Sequence, residues 1–357
     1  MSTGPAEKPT VDVHAHILLP ALQQLVAEAD PEGFGAQQAL EVRRNGPESM
    51  AASGKMIKER WPQLTDLDRR LADMDAQGVD VQLVSPSPSH FYYFAAEELA
   101  LQVARAANQA VREFVAHAPE RLNGLGLVPL QHPSLMVEAL EHAMLECGLL
   151  GVEIGSFAAT PADPERSTVE LSDPRLEPFW SRAEELGALV FLHPFGCSLD
   201  ERLDRFYLAN TVSQPAENAV ALSHLIFSGV LDRHPSLLVL AAHGGGYLPT
   251  SLGRSDHAWR VRPEARGCAE PPSSYVKKLF FDSLVHSPAE LRALVAAAGP
   301  GQVLLGSDYP FDMGSDRPVA EVIEAQLSAE DEARVLAGNA AALGITPASI
   351  LTARRTA

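Results

Sequence analysis

Eight short apolar runs punctuate this chain, near residues 11–16, 79–86, 122–130, 149–155, 189–193, 237–243, 279–285 and 303–308, and helix-like stretches separate them. Near-continuous apolar runs of this length are what parallel strands covered by helices look like in sequence. Eight alternating strand and helix units predict a (β/α)8 TIM barrel; a doubly wound open sheet is the alternative. The helices carry their own start and stop signals. Asp173-Pro174 supplies an N-cap and a first-turn proline, and Gly187 closes that helix. Ser287-Pro288 opens another with Glu290 in its first turn and Gly299 near its end, and Ser328 with Asp331 resembles a capping box for a last helix ending near Gly344. Leu99, Val103, Ala106, Ala110 and Phe114 recur at helical spacing over 95–117.

The 357 residues read as one barrel domain, because α/β barrels reach roughly 250 residues or more without splitting. Three connections are long: 17–78 after strand one, 194–236 after strand five and 244–278 after strand six. Their extra length is placed to cover the barrel mouth, and about 17–65 reads as a lid or a small insertion. The tail from 345 onward reads as peripheral.

Chemistry-bearing residues fall at the ends of these runs. His14 and His16 are two apart on strand one, so both imidazoles project to one side. His193 ends strand five, His243 ends strand six and Asp308 ends strand eight. In a barrel those ends form the active-site face. Three imidazoles and one carboxylate, from His14, His16, His193 and Asp308, suit one Zn²⁺ and also accept Mn²⁺, Fe²⁺ or Co²⁺. A fifth position is left for water or substrate. His243, followed by three glycines, reads as the catalytic acid/base, with a further metal ligand or a structural residue as the alternatives.

The lysines are Lys8, Lys55, Lys58, Lys277 and Lys278, so strand four has none to bridge a second metal. It carries Glu153 instead, read either as a bridging carboxylate or as a hydrogen-bonding group in the mouth. Asp282 on strand seven is a candidate to orient a histidine or complete the polar rim. Arg254 and Arg60 are candidates for gripping a substrate carboxylate, since guanidinium meets carboxylate in a fixed fork.

A formal charge of −18 opposes a nucleic-acid partner or an anionic membrane surface. No apolar stretch reaches the roughly 18 residues of a membrane span, and the first ten residues lack a signal-peptide core. Cys147, Cys197 and Cys268 have no paired spacing, which reads as reduced thiols of a cytoplasmic protein. Cys197 could line the site.

The chain resembles the amidohydrolase superfamily, in the branch that contains aminocarboxymuconate semialdehyde decarboxylase. The matching pieces are Asp12-Val13-His14-Ala15-His16, Met74-Asp75-Ala76-Gln77-Gly78-Val79, Phe191-Leu192-His193-Pro194, Pro215-Ala216-Glu217, His243-Gly244-Gly245-Gly246 running to Gly253-Arg254-Ser255-Asp256-His257, Gly306-Ser307-Asp308-Tyr309-Pro310-Phe311, and Gly338-Asn339-Ala340. The resemblance implies one divalent metal, usually zinc, on His14, His16, His193 and Asp308, no organic cofactor, and His243 as acid/base. It implies that Arg254 reaches a neighbouring subunit's site, making a homodimer or larger homo-oligomer the active unit, and that Arg60 falls near a second substrate-binding arginine. Two positions depart from the pattern. Phe195 stands where a tryptophan is expected, and Asn210 where an aromatic would line the pocket. Phe195, Tyr309 and Phe311 are expected as apolar walls.

The activity this implies is metal-dependent decarboxylation of a small aromatic or unsaturated, muconate-type carboxylic acid. The alternative is a hydrolase or hydratase using the same metal and base. A non-enzymatic reading, a binding or scaffold protein with a structural metal, would require a closed coordination shell.

Overall fold

The computed structural model describes residues 9–159, 168–196 and 198–347. Cys197 and the last ten residues of the tail lie outside this range. Eight parallel strands succeed one another in chain order: β1 (Val11–Ile17), β2 (Val81–Pro86), β3 (two segments, Leu122–Gly124 and Gly126–Leu127), β4 (Gly151–Ile154), β5 (Leu189–Leu192), β6 (Leu238–Ala241), β7 (Phe280–Asp282) and β8 (Val303–Leu304). Each pairs with the next, and β3 links the first three strands to the remaining set through its two segments. The ring closes where Val13 N–H donates to Leu305 O at 2.8 Å and Ala15 bridges Tyr309 in parallel. Closure of β1 onto β8 in sequential order makes this a (β/α)8 barrel and rules out the open doubly wound sheet. The strand ends differ from the sequence expectation chiefly at β7 and β8, which are shorter because their last residues leave the ladder to form the site.

Two cores flank the sheet. Val11, Val13, Val81, Leu83, Leu125, Leu189, Phe191, Leu240 and Leu304 fill the barrel interior. The larger outer core, including Ala15, Ile17, Val84, Val152, Ile154, Val190 and Leu192, packs against the helices. The alternation of these two sets along each strand is the period of a strand buried on both faces.

On β1 the alternation breaks, and the break decides the function. Asp12 pairs with Gln82, but the next partners are Ala15 and Val84, so β1 advances three residues while β2 advances two. This is a β-bulge, which carries one extra residue and re-aims the side chains beyond it. Val11 and Val13 face the barrel interior before it, and Ala15 and Ile17 face the helices after it. His14 and His16 are thereby turned into the barrel mouth. An unbroken strand would put them on the outer face with Asp12.

The connection after β1 folds into five helices: α1 (Pro20–Ala29), α2 (Pro31–Asn45), α3 (Pro47–Glu59), α4 (Trp61–Thr65) and α5 (Leu67–Gln77). Each of α1 to α4 has proline in its first turn, where the missing N–H costs no hydrogen bond. Neither α2 nor α3 has a fully buried residue. Phe34 of α2 packs, partly buried, against the outer core, whereas α5 buries Arg70 and Met74 outright. The expected helix near 95–117 is α6 (Glu97–Ala116). The caps read from sequence are present at Asp173, Ser287 and Ser328, each accepting from a first-turn backbone N–H.

Candidate metal centre and active site

His14, His16, His193 and Asp308 converge at the mouth, each offering one donor atom, with all four atoms within 4.8 Å of one another. The two strand-one imidazoles present their Nε2 atoms 3.0 Å apart, and Asp308 Oδ1 lies 3.4 and 3.2 Å from them. All four residues are buried.

The outward-facing nitrogens are each engaged. His14 Nδ1 lies 2.6 Å from Asp282 Oδ2, His16 Nδ1 lies 3.1 Å from Ser85 Oγ, and His193 Nδ1 lies 2.9 Å from Pro194 O. Donation from Nδ1 to these acceptors leaves the Nε2 lone pairs aimed at the common centre, the arrangement in which histidine binds a metal. Within the protein, His193 Nε2 and Asp308 Oδ1 are buried with no hydrogen-bond partner. Opposed lone pairs and orphaned buried acceptors are costly unless a cation lies between them. The residues therefore fit one divalent ion.

The local field agrees. Burial opposes charge on His14, but Asp308 and Asp282 outweigh it and push its pKa up to about 10. Burial lowers His16 to about 4, and burial with the surrounding imidazoles holds His193 well below the ordinary histidine value. Burial also opposes ionisation of Asp308, yet His14, His16 and His243 hold it well below the usual carboxylate range. Negative charge thus stays on Asp308 while His16 and His193 stay neutral, the forms in which carboxylate and imidazole bind a metal.

His243 stands at the edge of this group. Its Nε2 is 3.7 Å from Asp308 Oδ2, and its ring centroid is 4.9 Å from that of His193. It is the more open group, its side chain 18% exposed against 9% for Asp308. Its backbone has φ +54 and Gly244 has φ +61, a left-handed turn that glycine enters without strain. Asp282 holds that turn by accepting from His243 N and Gly244 N, both at 2.8 Å. His243 and Asp308 line a cavity of about 540 Å³ with Asn210, Gln214, Val285, His286 and Met313, a size that suits a small ligand.

The other residues singled out in the sequence divide. Asn210 lines the His243 cavity. Phe311 is half-buried with its ring 5.5 Å from that of His16. Phe195 lines a second cavity, also about 540 Å³, with Phe34 and Arg44 of α2 and with Phe91, Tyr93 and Phe157. Glu153 is fully buried in the mouth with neither carboxyl oxygen bonded, and burial pushes its pKa well above the carboxylate range. Asp282 is fully buried, with its oxygens on His14 and the backbone of His243, Gly244 and Leu284, so it orients the site from behind.

Tyr309 turns away from the centre. Its hydroxyl donates to Asp73 at 2.8 Å and its ring lies under the Arg70 guanidinium, so it is no wall of the His243 cavity. Arg60 bonds Pro310 O and pairs with Asp316, lining a different surface recess. Arg254 is exposed and lines a separate cavity with Ser172, His224 and Tyr247. Neither arginine lines the His243 cavity of its own chain.

Sequence reasoning passed over Ser85, Arg44 and Tyr207. Tyr207 is close enough to Asp308 and Asp312 for their charges to help burial raise its pKa. No motif marks these residues; Ser85 sits near the end of β2, and only the length of the connections carrying Arg44 and Tyr207 hinted at a role.

The family model described as Amidohydrolase matches residues 11–343. The chain belongs to the amidohydrolase family. Among its relatives is the 2-amino-3-carboxymuconate-6-semialdehyde decarboxylase of Dictyostelium discoideum, 34% identical over 342 residues, covering 94% of this chain and 92% of the relative. The gamma-resorcylate decarboxylase of Rhodococcus jostii is 29% identical, covering 85% of this chain and 97% of that protein. The crystal structure of a dihydroxybenzoic acid decarboxylase from Polaromonas, with bound manganese and 2-nitroresorcinol, superimposes with a TM-score of 0.78 at 23% identity, covering 94% and 96% of the two chains. That likeness independently supports the barrel fold.

Proposed function

We propose that this protein is a metal-dependent decarboxylase, free of organic cofactor, acting on an aromatic or unsaturated, muconate-type carboxylic acid. The observation that carries the reading is the convergence of four metal donors, of which Asp308 lines the same cavity as His243, in a chain 34% identical to a decarboxylase along nearly its whole length. His14, His16, His193 and Asp308 would hold one divalent ion, zinc or manganese. When bound, that ion supplies Lewis-acid chemistry to oxygens of the substrate. His243, half-buried at the rim, takes a proton from solvent and delivers it to the substrate. The proton goes to the ring or enol carbon that bears the carboxylate. The carbon–carboxylate bond then breaks, its electron pair stays on that carbon, and carbon dioxide leaves. Asn210, Val285 and Met313 shape the adjoining cavity, and Phe311 supplies an apolar face beside His16.

Arg254 would serve a neighbouring chain's cavity in a homodimer or larger homo-oligomer, a reading that sedimentation analysis checks. Among the described residues no helix is long and apolar enough to cross a membrane. Cys147 and Cys268 are free and buried, which favours a reducing cytoplasmic setting.

The test is carbon dioxide release from 2,6-dihydroxybenzoate, 5-carboxyvanillate and muconate-type acids by Zn²⁺- or Mn²⁺-loaded protein. Loss of one carbon as carbon dioxide supports decarboxylation. Net uptake of water with carbon retained would replace it by the hydrolase or hydratase reading.

A further inference from the structure

Behind the metal centre, on the helix-facing side of the sheet, a polar cluster is sealed from solvent. Asp12, Gln82 and Arg70 are each 0% exposed, as is Ser307. Asp12 Oδ1 accepts from His14 N at 3.1 Å and Ser307 N at 3.0 Å. Its Oδ2 accepts from Gln82 Nε2 at 2.9 Å and Ser307 Oγ at 2.6 Å. Gln82 Oε1 accepts from Arg70 Nη1 at 2.6 Å, and Arg70 Nη2 donates to His16 O. Arg70 itself lies between the rings of Tyr309 and Phe114, 4.8 and 5.6 Å away.

These bonds form a closed chain. It runs from the backbone N–H of His14 through Asp12, Gln82 and Arg70 to the backbone carbonyl of His16. It spans the bulge that turns both imidazoles inward, and Ser307 ties it to the segment bearing Asp308. A straight β1 would be the default for so apolar a strand. Something must hold the extra residue in place, and a buried, fully bonded carboxylate with a buried cation one residue away is a stiff means of doing so.

We propose that Asp12, Gln82 and Arg70 are positioning residues: they fix the bulge at the register in which His14 and His16 share a metal ion with Asp308. The proposal rests on the metal-site reading above. It predicts dependence on where the negative charge sits. Asp12→Asn puts an amide N–H₂ against Gln82 Nε2, and flipping Gln82 only moves the conflict to Arg70. Gln82→Glu sets a second carboxylate against Asp12. With both changes, the amide at position 12 donates to the carboxylate at position 82, which still accepts from Arg70. The Ser307 hydroxyl can then turn to His14 O, 3.3 Å away.

The experiment titrates metal-free protein with Zn²⁺ alone and Mn²⁺ alone by calorimetry, beside melting curves of the same samples. Each single variant should bind about 10- to 100-fold more weakly, the range seen when groups behind a metal ligand are altered. The double variant should recover to within about threefold of the parent, a coupling beyond additivity. Ser307→Ala, which removes one bond to Asp12, should fall between, and with the double variant it decides the matter should a single variant not fold. Parent-like binding by both singles, or a double variant as weak as the product of the two, overturns the proposal. A plain structural clamp would lower melting temperatures while leaving the affinity of folded protein unchanged, and that outcome overturns it as well. Failure of the parent to bind either ion overturns the metal reading instead. A crystal structure of metal-free Asp12→Asn then tests the positioning claim: it should show the His14 and His16 Nε2 atoms moved from their 3.0 Å approach, and unmoved imidazoles refute it.

Discussion

Asp282 Oδ2 lies 2.6 Å from His14 Nδ1 and also accepts from the backbone N–H of His243 at 2.8 Å, so one buried carboxylate oxygen aligns both the His14 imidazole and the turn that carries His243. Asp282→Asn cannot accept on both oxygens. Metal affinity should fall about 10- to 100-fold. Turnover should also fall when metal is saturating, because the His243 turn loosens too. Calorimetry with Zn²⁺ or Mn²⁺, followed by kinetics at saturating metal, separates the two losses; normal values in both would remove Asp282 from the site's support.

His243→Gln should spare the metal and remove the proton carrier. Its Nε2 lies farther from Asp308 than those of His14 and His16 do. Carbon dioxide release should drop by about 10²- to 10⁴-fold, the usual range for a lost general acid or base. Metal content by elemental analysis should stay at the parent value. A variant that lost its metal would instead make His243 a fifth ligand.

The barrel was legible because each strand is covered on both faces and must be apolar throughout, and because helix caps have fixed chemistry. His14, His16, His193, His243 and Asp308 were legible because they end such runs. The bulge was not. Alternation alone puts His14 and His16 on one face but leaves open which, and the choice depends on Asp12 meeting Gln82 and Ser307, 70 and 295 residues away. Tyr309 misled for a related reason. Its place beside Asp308 suggests the cavity, but Arg70 and Asp73 from α5 draw its ring and hydroxyl the other way. Arg60 joins α3 to α4 and Arg254 lies in the helix Gly253–Val261, both within long connections where sequence distance from a strand end says little about direction.

Removing the metal should abolish activity and destabilise the fold together. The four donors come from β1 and the ends of β5 and β8, so a bound ion ties distant parts of the barrel. An ion at a thousand times its dissociation constant adds about 4 kcal/mol by mass action. Chelated protein should melt several degrees lower by calorimetry, and activity should return on adding Zn²⁺ or Mn²⁺. An unchanged melting point with full return of activity would mean the ion binds too weakly to tie the strands.

Acid should weaken the metal-free protein through a histidine that is not one of the four candidate metal ligands. His90 is 1% exposed; its Nε2 accepts from Leu19 N at 3.0 Å, and its Nδ1 meets Tyr92 Oη at 3.1 Å. Burial lowers its pKa from 6.5 to about 4, so the folded state resists the proton that the unfolded chain takes up. Its contribution is therefore fully present above pH 6.5 and is lost as pH falls toward and through 4, amounting to about 3 kcal/mol. His90→Gln keeps an acceptor for Leu19 but does not titrate across that window. Urea unfolding of both chelated proteins at pH 7 and pH 4.5 should show a smaller drop for the variant. Equal drops would mean that other groups carry the acid sensitivity and that His90 gains its proton without opening the α1 contact.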